Sequence, residues 1–311
     1  MAVVGAAAAR PFARLRGRSS SEERRLPIGR QILLQAVCLF VALTVLFPIL
    51  WIVSLAVDPR GLSRPDGLNL IPPGATLDAF ARVFEQPTSN PVSFPELARN
   101  SFIIASGTAL FSVAIGVSAA YAFSRLNFRF REVLMLAILA VLMLPAVATI
   151  APLFVMLTRI QFGDFTLGRT IPGVMVAIVS GTLPFAIWNL KGYLDTIPRE
   201  LEEAAAVDGA TRNQSFFKVI LPLATPALAV TAFLGFIAGW SEFYFSVIFL
   251  SDPKQFTLAI ALNGMVGQYA TQTPWSEFSA FAIMFALPVS VVYLFLQKYI
   301  VGGLAIGGVK G

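Results

Sequence analysis

A chain of 311 residues that is 57% apolar and only 13% charged has too little charge to cover a water-facing surface of its size. Soluble domains carry about 25%, so lipid must solvate much of this chain, in line with its strongly positive mean hydropathy. There is no histidine, and Cys38 is the only cysteine. This excludes histidine-based metal binding, general-base catalysis and proton relays, and any disulfide within one chain. The net charge of +6 would fit nucleic acid, but the arginines cluster near membrane boundaries. Topology accounts for them better, and no nucleic-acid partner is expected.

Residues 1–30 are rich in Ala and Arg and read as a basic cytoplasmic tail. Apolar, charge-free intervals then recur. A bilayer-spanning helix needs about 20 such residues, and an ionised group at mid-membrane costs roughly 3 kcal/mol. Six spans are expected, at 31–57, 99–124, 132–158, 170–190, 219–250 and 277–298. The first is too long for the core of a cleaved signal peptide, although Ser54-Leu55-Ala56 resembles a cleavage site. The interval 255–276 is also free of charge until its end, but it holds Asn263, Gly264, Gly267, Gln268 and Gln272 and reads as loop, with room for one short helix.

External loops are expected at 58–98, proline-rich with a short helix near 77–84, and at 251–276. A cytoplasmic loop is expected at 191–218 and a cytoplasmic tail at 299–311. Sixteen basic residues fall on the side of the termini and seven on the other. The positive-inside bias therefore places both termini in the cytoplasm of a multi-pass cell-membrane protein.

Pro48, Pro145, Pro152, Pro184, Pro226 and Pro288 interrupt spans. Proline removes a backbone hydrogen bond and kinks a helix, so these point either to ordinary membrane packing or to bent helices around a pathway. Glu242 is an ionisable group within the fifth span, flanked by Trp240 and Tyr244. It reads as a pathway group, a boundary residue or a contact to another subunit, and the aromatic residues as sugar-stacking or packing. No phosphate-cradling G-x-x-x-x-G-K-[ST] run occurs, and Glu242 has no basic partner within a span. No catalytic, cofactor-binding or metal residue is expected.

The loop at 191–218 alternates helix signals and breakers. Pro198 can open a helix whose first turn holds Glu200, Glu202 and Glu203, and Gly209 can end it in a sharp turn. Leu201, Ala204, Ala205 and Asp208 share one side. A second short helix at about 212–219 would present Phe216 and Phe217 before Leu221-Pro222 leads into the fifth span. From these residues alone, the hairpin could rest on its own subunit or offer a surface to another protein.

Glu203-Ala204-Ala205, then Gly209, then Val219-x-Leu221-Pro222 resembles the EAA loop of permease subunits in binding-protein-dependent ABC importers, with valine where isoleucine is usual. The chain is most similar to MalG-like maltose permeases. Leu201 to Thr211, Thr257-Leu258-Ala259 and the glycine-rich C-terminus extend the likeness. The resemblance implies an all-α polytopic protein of the type I ABC importer permease fold, carrying maltose, maltodextrin or trehalose. It implies that Glu203, Ala204, Ala205, Asp208, Gly209, Leu221 and Pro222 couple to an ATPase, and that Gly307, Gly308, Val309, Lys310 and Gly311 insert between ATPase subunits. It further implies a MalF-like second permease, a MalK-like ATPase dimer that holds ATP and Mg, and an extracytoplasmic sugar-binding protein. An ion-coupled carrier or a membrane scaffold are the alternatives.

Overall fold

The computed structural model describes residues 27–61, 70–163, 165–269 and 272–307. Most of the expected basic tail and residues Gly308 to Gly311 lie outside the described residues. The chain divides into two compact units, Met1–Ile49 and Leu50–Gly311. Helix α1 (Ile28–Ala56) begins in the first unit, where its apolar side chains are exposed.

The second unit begins with the end of α1. Helix α2 (Asp78–Glu85) lies in the expected 58–98 loop. Helix α3 (Phe94–Arg125) is the element around which the unit is packed, against helix α6 (Ile171–Leu194) on one side and helix α10 (Thr225–Trp240) on the other. Its start is fixed locally. Pro95 sits in the first turn, and the Glu96 carboxylate accepts from the Ser93 backbone N–H at 2.8 Å and from the Ser93 hydroxyl at 2.9 Å.

Close approach holds this centre together. A Cβ on Gly239 of α10 would lie 2.7 Å from the Cα of Ala105 in α3, so only glycine fits there. Ser112 and Thr182 share a hydrogen bond of 2.8 Å between α3 and α6, and Asn189 of α6 donates to Thr231 of α10 at 3.2 Å. Helix α13 (Trp275–Gly307) packs on α10 and on α2, with an Arg82–Glu277 ion pair at 2.8 Å.

Two of the expected continuous spans are broken. The segment 132–158 is helix α4 (Arg131–Val141) and helix α5 (Ala146–Thr158), bent by 102°. Pro145 lies in the break, where it lacks an N–H and disfavours helical backbone at Leu144.

The segment 219–250 is broken twice. Helix α9 (Leu221–Leu223) joins α10 through a bend of 75° measured across the break. Pro226 cannot donate to the Pro222 carbonyl, which instead accepts from the Thr225 hydroxyl at 2.7 Å. After α10, residues 241–243 are not helical, and helix α11 (Tyr244–Phe249) follows.

Among the described residues, four helices are long and apolar enough to cross a membrane, or up to six spans if each bent pair is one. The tail expected from residue 299 is helical as far as Gly307, because Leu304-Ala305-Ile306 favours helix despite the glycines before it. The all-α expectation meets one small exception, an antiparallel ladder of β1 (Gln161–Phe162) with β2 (Phe165–Thr166). Helix α12 (Leu258–Gly264), capped by the Thr257 hydroxyl, occupies the 251–276 loop.

Candidate coupling site

Helix α6 runs past the expected end of the fourth span to Leu194, and Asp195 to Arg199 turn the chain into helix α7 (Glu200–Val207). Three acids stand in the first turn of α7, where exposed backbone N–H groups favour negative charge. The helix ends in a Schellman motif. The Ala210 N–H donates to the Ala205 carbonyl at 2.9 Å, and the Gly209 N–H to the Ala206 carbonyl at 3.0 Å. Gly209 has φ of +84°, with nothing within 4 Å of where a Cβ would sit. Backbone conformation, not crowding, demands glycine there.

The neighbouring acids of α7 face in different directions. Glu203 is exposed, while Glu202 turns into the bundle. The Tyr121 hydroxyl donates to Glu202 Oε2 at 2.8 Å and Arg125 Nε donates to Oε1 at 2.5 Å. Arg125 Nη2 also donates to the Ile197 carbonyl at 2.8 Å. The Arg125 and Glu202 side chains are only 7% and 17% exposed.

A second set of bonds lies beside the first. Arg199 donates to the Ser124 carbonyl at 3.1 Å, the Ser124 hydroxyl to Asp195 Oδ1 at 2.6 Å, and Lys191 to Asp195 Oδ2 at 2.6 Å. The end of α3 therefore fastens both the entrance to α7 and α7 itself. An open cleft of about 380 Å³ remains between Tyr121, Arg125, Glu203, Ala206 and Arg212.

Burial pushes the Asp195 carboxyl up, but the hydrogen bonds from Lys191 and Ser124 outweigh it and hold its pKa below the ordinary 3.8. A depressed pKa stabilises the fold above the unfolded value, and that contribution is lost as pH falls through the folded one. The stability difference between the native chain and Asp195→Asn is thus expected in full at neutral pH and to shrink below about pH 4. Thermal melting of the purified protein across that range checks it. An unchanging difference would contradict the assignment.

The exposed side chains of α7 include Leu201, Ala204, Val207 and Asp208, with Val207 at 88%, and Glu203 at the edge of the cleft. Ala205 is half-buried. Downstream, Thr211 caps helix α8 (Arg212–Ser215), followed by a π-helical turn over Phe216–Ile220, where one continuous α-helix to Val219 was expected. Extra backbone in a π turn is common at functional sites. Phe217 is exposed, Phe216 packs on Tyr121, and Leu221-Pro222 stands at the bend into α10.

The pathway candidates are not brought together. Trp240 is buried at 2% exposure, stacks on Phe236 and donates to the Phe285 carbonyl at 3.0 Å. It is a packing residue in this conformation. Glu242 is half-buried, and its carboxylate accepts the Phe245 N–H at the start of α11 at 2.7 Å. Tyr244 is exposed.

Sequence reasoning missed Tyr121, Ser124, Asp195 and the inward role of Glu202, and it used Arg125 only for topology. The nearness of Arg125 to the end of a span was the only available signal.

Residues 112–305 match the family described as "Binding-protein-dependent transport system inner membrane component". The chain belongs to that family. It is 34% identical over 289 residues to the trehalose/maltose transport system permease protein MalG of Thermococcus litoralis, covering 92% of this chain and 99% of that one. It is 35% identical to the trehalose transport system permease protein SugB of Mycobacterium tuberculosis, covering 86% and 93%. It is also 35% identical to the maltose/maltodextrin permease MalG of Escherichia coli, covering 94% and 98%.

Among solved structures, a chain of a bacterial ABC transporter that imports the polysaccharide alginate matches with a TM-score of 0.71 at 24% identity, covering 88% of this chain and 98% of that chain. This likeness establishes the shared fold, the type I ABC importer permease fold. The family member described here is a multi-pass membrane permease of an ABC importer.

Proposed function

We propose that this permease forms half of the pathway for an oligosaccharide such as maltose, maltodextrin or trehalose. It borrows its energy from a separate ATPase dimer, which holds ATP and Mg; the permease contributes no ATPase site. A second permease, MalF-like, completes the pathway, the ATPase is MalK-like, and a sugar-binding protein docks on the external side. Both termini and α7 lie in the cytoplasm, a placement that the excess of basic residues on that side supports. The substrate class rests on the sugar permeases to which the chain is similar.

The observation that carries the reading is the division of labour on α7. One face is bonded to the bundle through Glu202, and the other leaves Leu201, Glu203, Ala204 and Val207 uncovered. Small side chains let a partner approach closely, and Val207 offers apolar area to bury. A force applied to that face passes into α3 and, through the π turn and Pro222, into α10. Gly307 to Gly311 would lie between the ATPase subunits, and of the three pathway candidates Glu242 and Tyr244 are the ones with surface to offer a solute.

Gly209→Asp tests this. It should leave the complex partly assembled and abolish sugar uptake, because an L residue resists the left-handed backbone and adds charge beside the docking face. Co-purification of ATPase and second permease, followed by uptake in proteoliposomes, measures both parts. Uptake at the normal rate by the purified variant complex would refute the coupling assignment.

A further inference from the structure

Helix α3 runs unbroken from Phe94 to Arg125 with no proline beyond its first turn. Pro48, Pro152, Pro184 and Pro288 lie inside α1, α5, α6 and α13, and Pro222 and Pro226 flank the bend into α10. At 1.5 Å per residue its 32 residues form a rod about 48 Å long.

Both ends of this rod are bonded to loops. Near its start, Asn100 is 1% exposed and spends both amide hydrogens on the 251–276 loop, donating to the Lys254 carbonyl at 2.8 Å and to the Phe256 carbonyl at 3.0 Å. Ser101, fully buried, accepts the Leu258 N–H at 2.8 Å. That stretch leaves a single 3-10 turn over Pro253–Gln255 before α12 begins, so its backbone groups depend on α3 for partners. Near its end, Tyr121 and Arg125 hold Glu202 of α7. The two loops that face opposite sides of the membrane in the proposed function are thus pinned to one continuous helix. Between its ends, α10 packs directly on it, with Gly239 against Ala105.

We propose that α3 is a strut through which docking on the 251–276 loop resets the coupling helix α7, with Asn100 and Glu202 as its positioning residues at the two ends. The proposal rests on the importer reading above. A binding protein that displaces the loop moves Asn100 and Ser101, and the continuous helix carries that displacement to Arg125. Two independent braces are the alternative. The two differ in energetics, because substitutions more than about 10 Å apart with no shared partner normally act additively. Asn100 and Arg125 are about 38 Å apart along the helix.

A double-mutant cycle decides between them. In the reconstituted complex, ATP hydrolysis is measured with and without sugar-loaded binding protein for the native chain, Asn100→Ala, Glu202→Gln and the double variant. Each single change should cut the stimulation by about 5- to 20-fold, within the usual span of allosteric couplings. The double variant should be no worse than the weaker of the two. A double variant whose loss is the product of the single losses makes the pins independent and overturns the strut.

Hydrogen exchange of residues 200–207 gives a readout that bracing alone would not move. Docking should change it in the native complex and leave it unchanged in Asn100→Ala, although the binding protein still binds. A persistent change in that variant also overturns the proposal. If Asn100→Ala fails to assemble, Ser101→Ala, which removes one bond, takes its place in both measurements. A native complex that lacks the ATPase, or is not stimulated at all, would instead count against the importer reading.

Discussion

Arg125→Ala is expected to free α7 from the bundle and to lower sugar uptake about a hundredfold. Arg125 supplies the cation for Glu202 and a hydrogen bond to the Ile197 carbonyl, and it is nearly buried. Its removal leaves the Glu202 carboxylate with only the Tyr121 hydroxyl and leaves the carbonyl without this donor. Losing one member of a buried pair costs roughly 3 kcal/mol. Spent on the docked position of α7, that is about two decades of population.

Arg125→Lys should fall in between, because an ammonium cannot span both acceptors with the fixed fork of a guanidinium. Uptake in proteoliposomes, paired with proteolysis at residues 195–210, checks the prediction. Normal uptake by the alanine variant, with the loop as resistant to protease as in the native chain, would show that the fastening is dispensable.

Gly239→Val is expected to prevent assembly of the permease. The added carbon would meet the Ala105 Cα at 2.7 Å and the Ile104 carbonyl oxygen at 3.0 Å. Both are backbone atoms of α3 and have no rotamer into which to retreat. Overpacking in a tight core costs about 1–3 kcal/mol, and more where backbone must move. Here α10 would have to leave α3, taking the hydrogen bond between Asn189 and Thr231 with it.

Gly181→Ala is the control. It is also a helical glycine, but nothing lies within 4 Å of its missing carbon. It should be neutral or gain up to about 1 kcal/mol. Yield of folded protein and melting temperature separate the two. Equal yields and melting temperatures would mean that the close approach of α3 and α10 does not set stability.

How much of this was legible from the residues differs by element. Apolar runs and charge placement locate the spans because the bilayer imposes length and composition directly. The turn at Gly209 was legible because only glycine takes its backbone conformation freely. Pro145 was recognisable as a kink, but its 102° angle depends on what α4 and α5 pack against. The π turn over Phe216–Ile220 has no sequence signal of its own.

The pairing of Arg125 with Glu202 joins positions 77 residues apart, and one sequence does not reveal such partners. Trp240 beside Glu242 looked like a pathway pair. The chain leaves helical conformation after Trp240, and this sends the indole into the core while Glu242 caps the next helix.

The different orientations of Glu202, bonded to the bundle, and Glu203, exposed, make the coupling loop sensitive to length in a way that it is not sensitive to composition. Each residue turns an α-helix by about 100°. Removing one residue between Arg199 and Glu202 would bring the next acid into reach of Arg125 and rotate the whole outward face by the same angle. Side chains on that face can drift with their partner, but the count of residues from the anchor is shared by both surfaces. Anchor and docking face behave like two gears keyed to one shaft, and the phase between them is the quantity that this stretch of chain encodes.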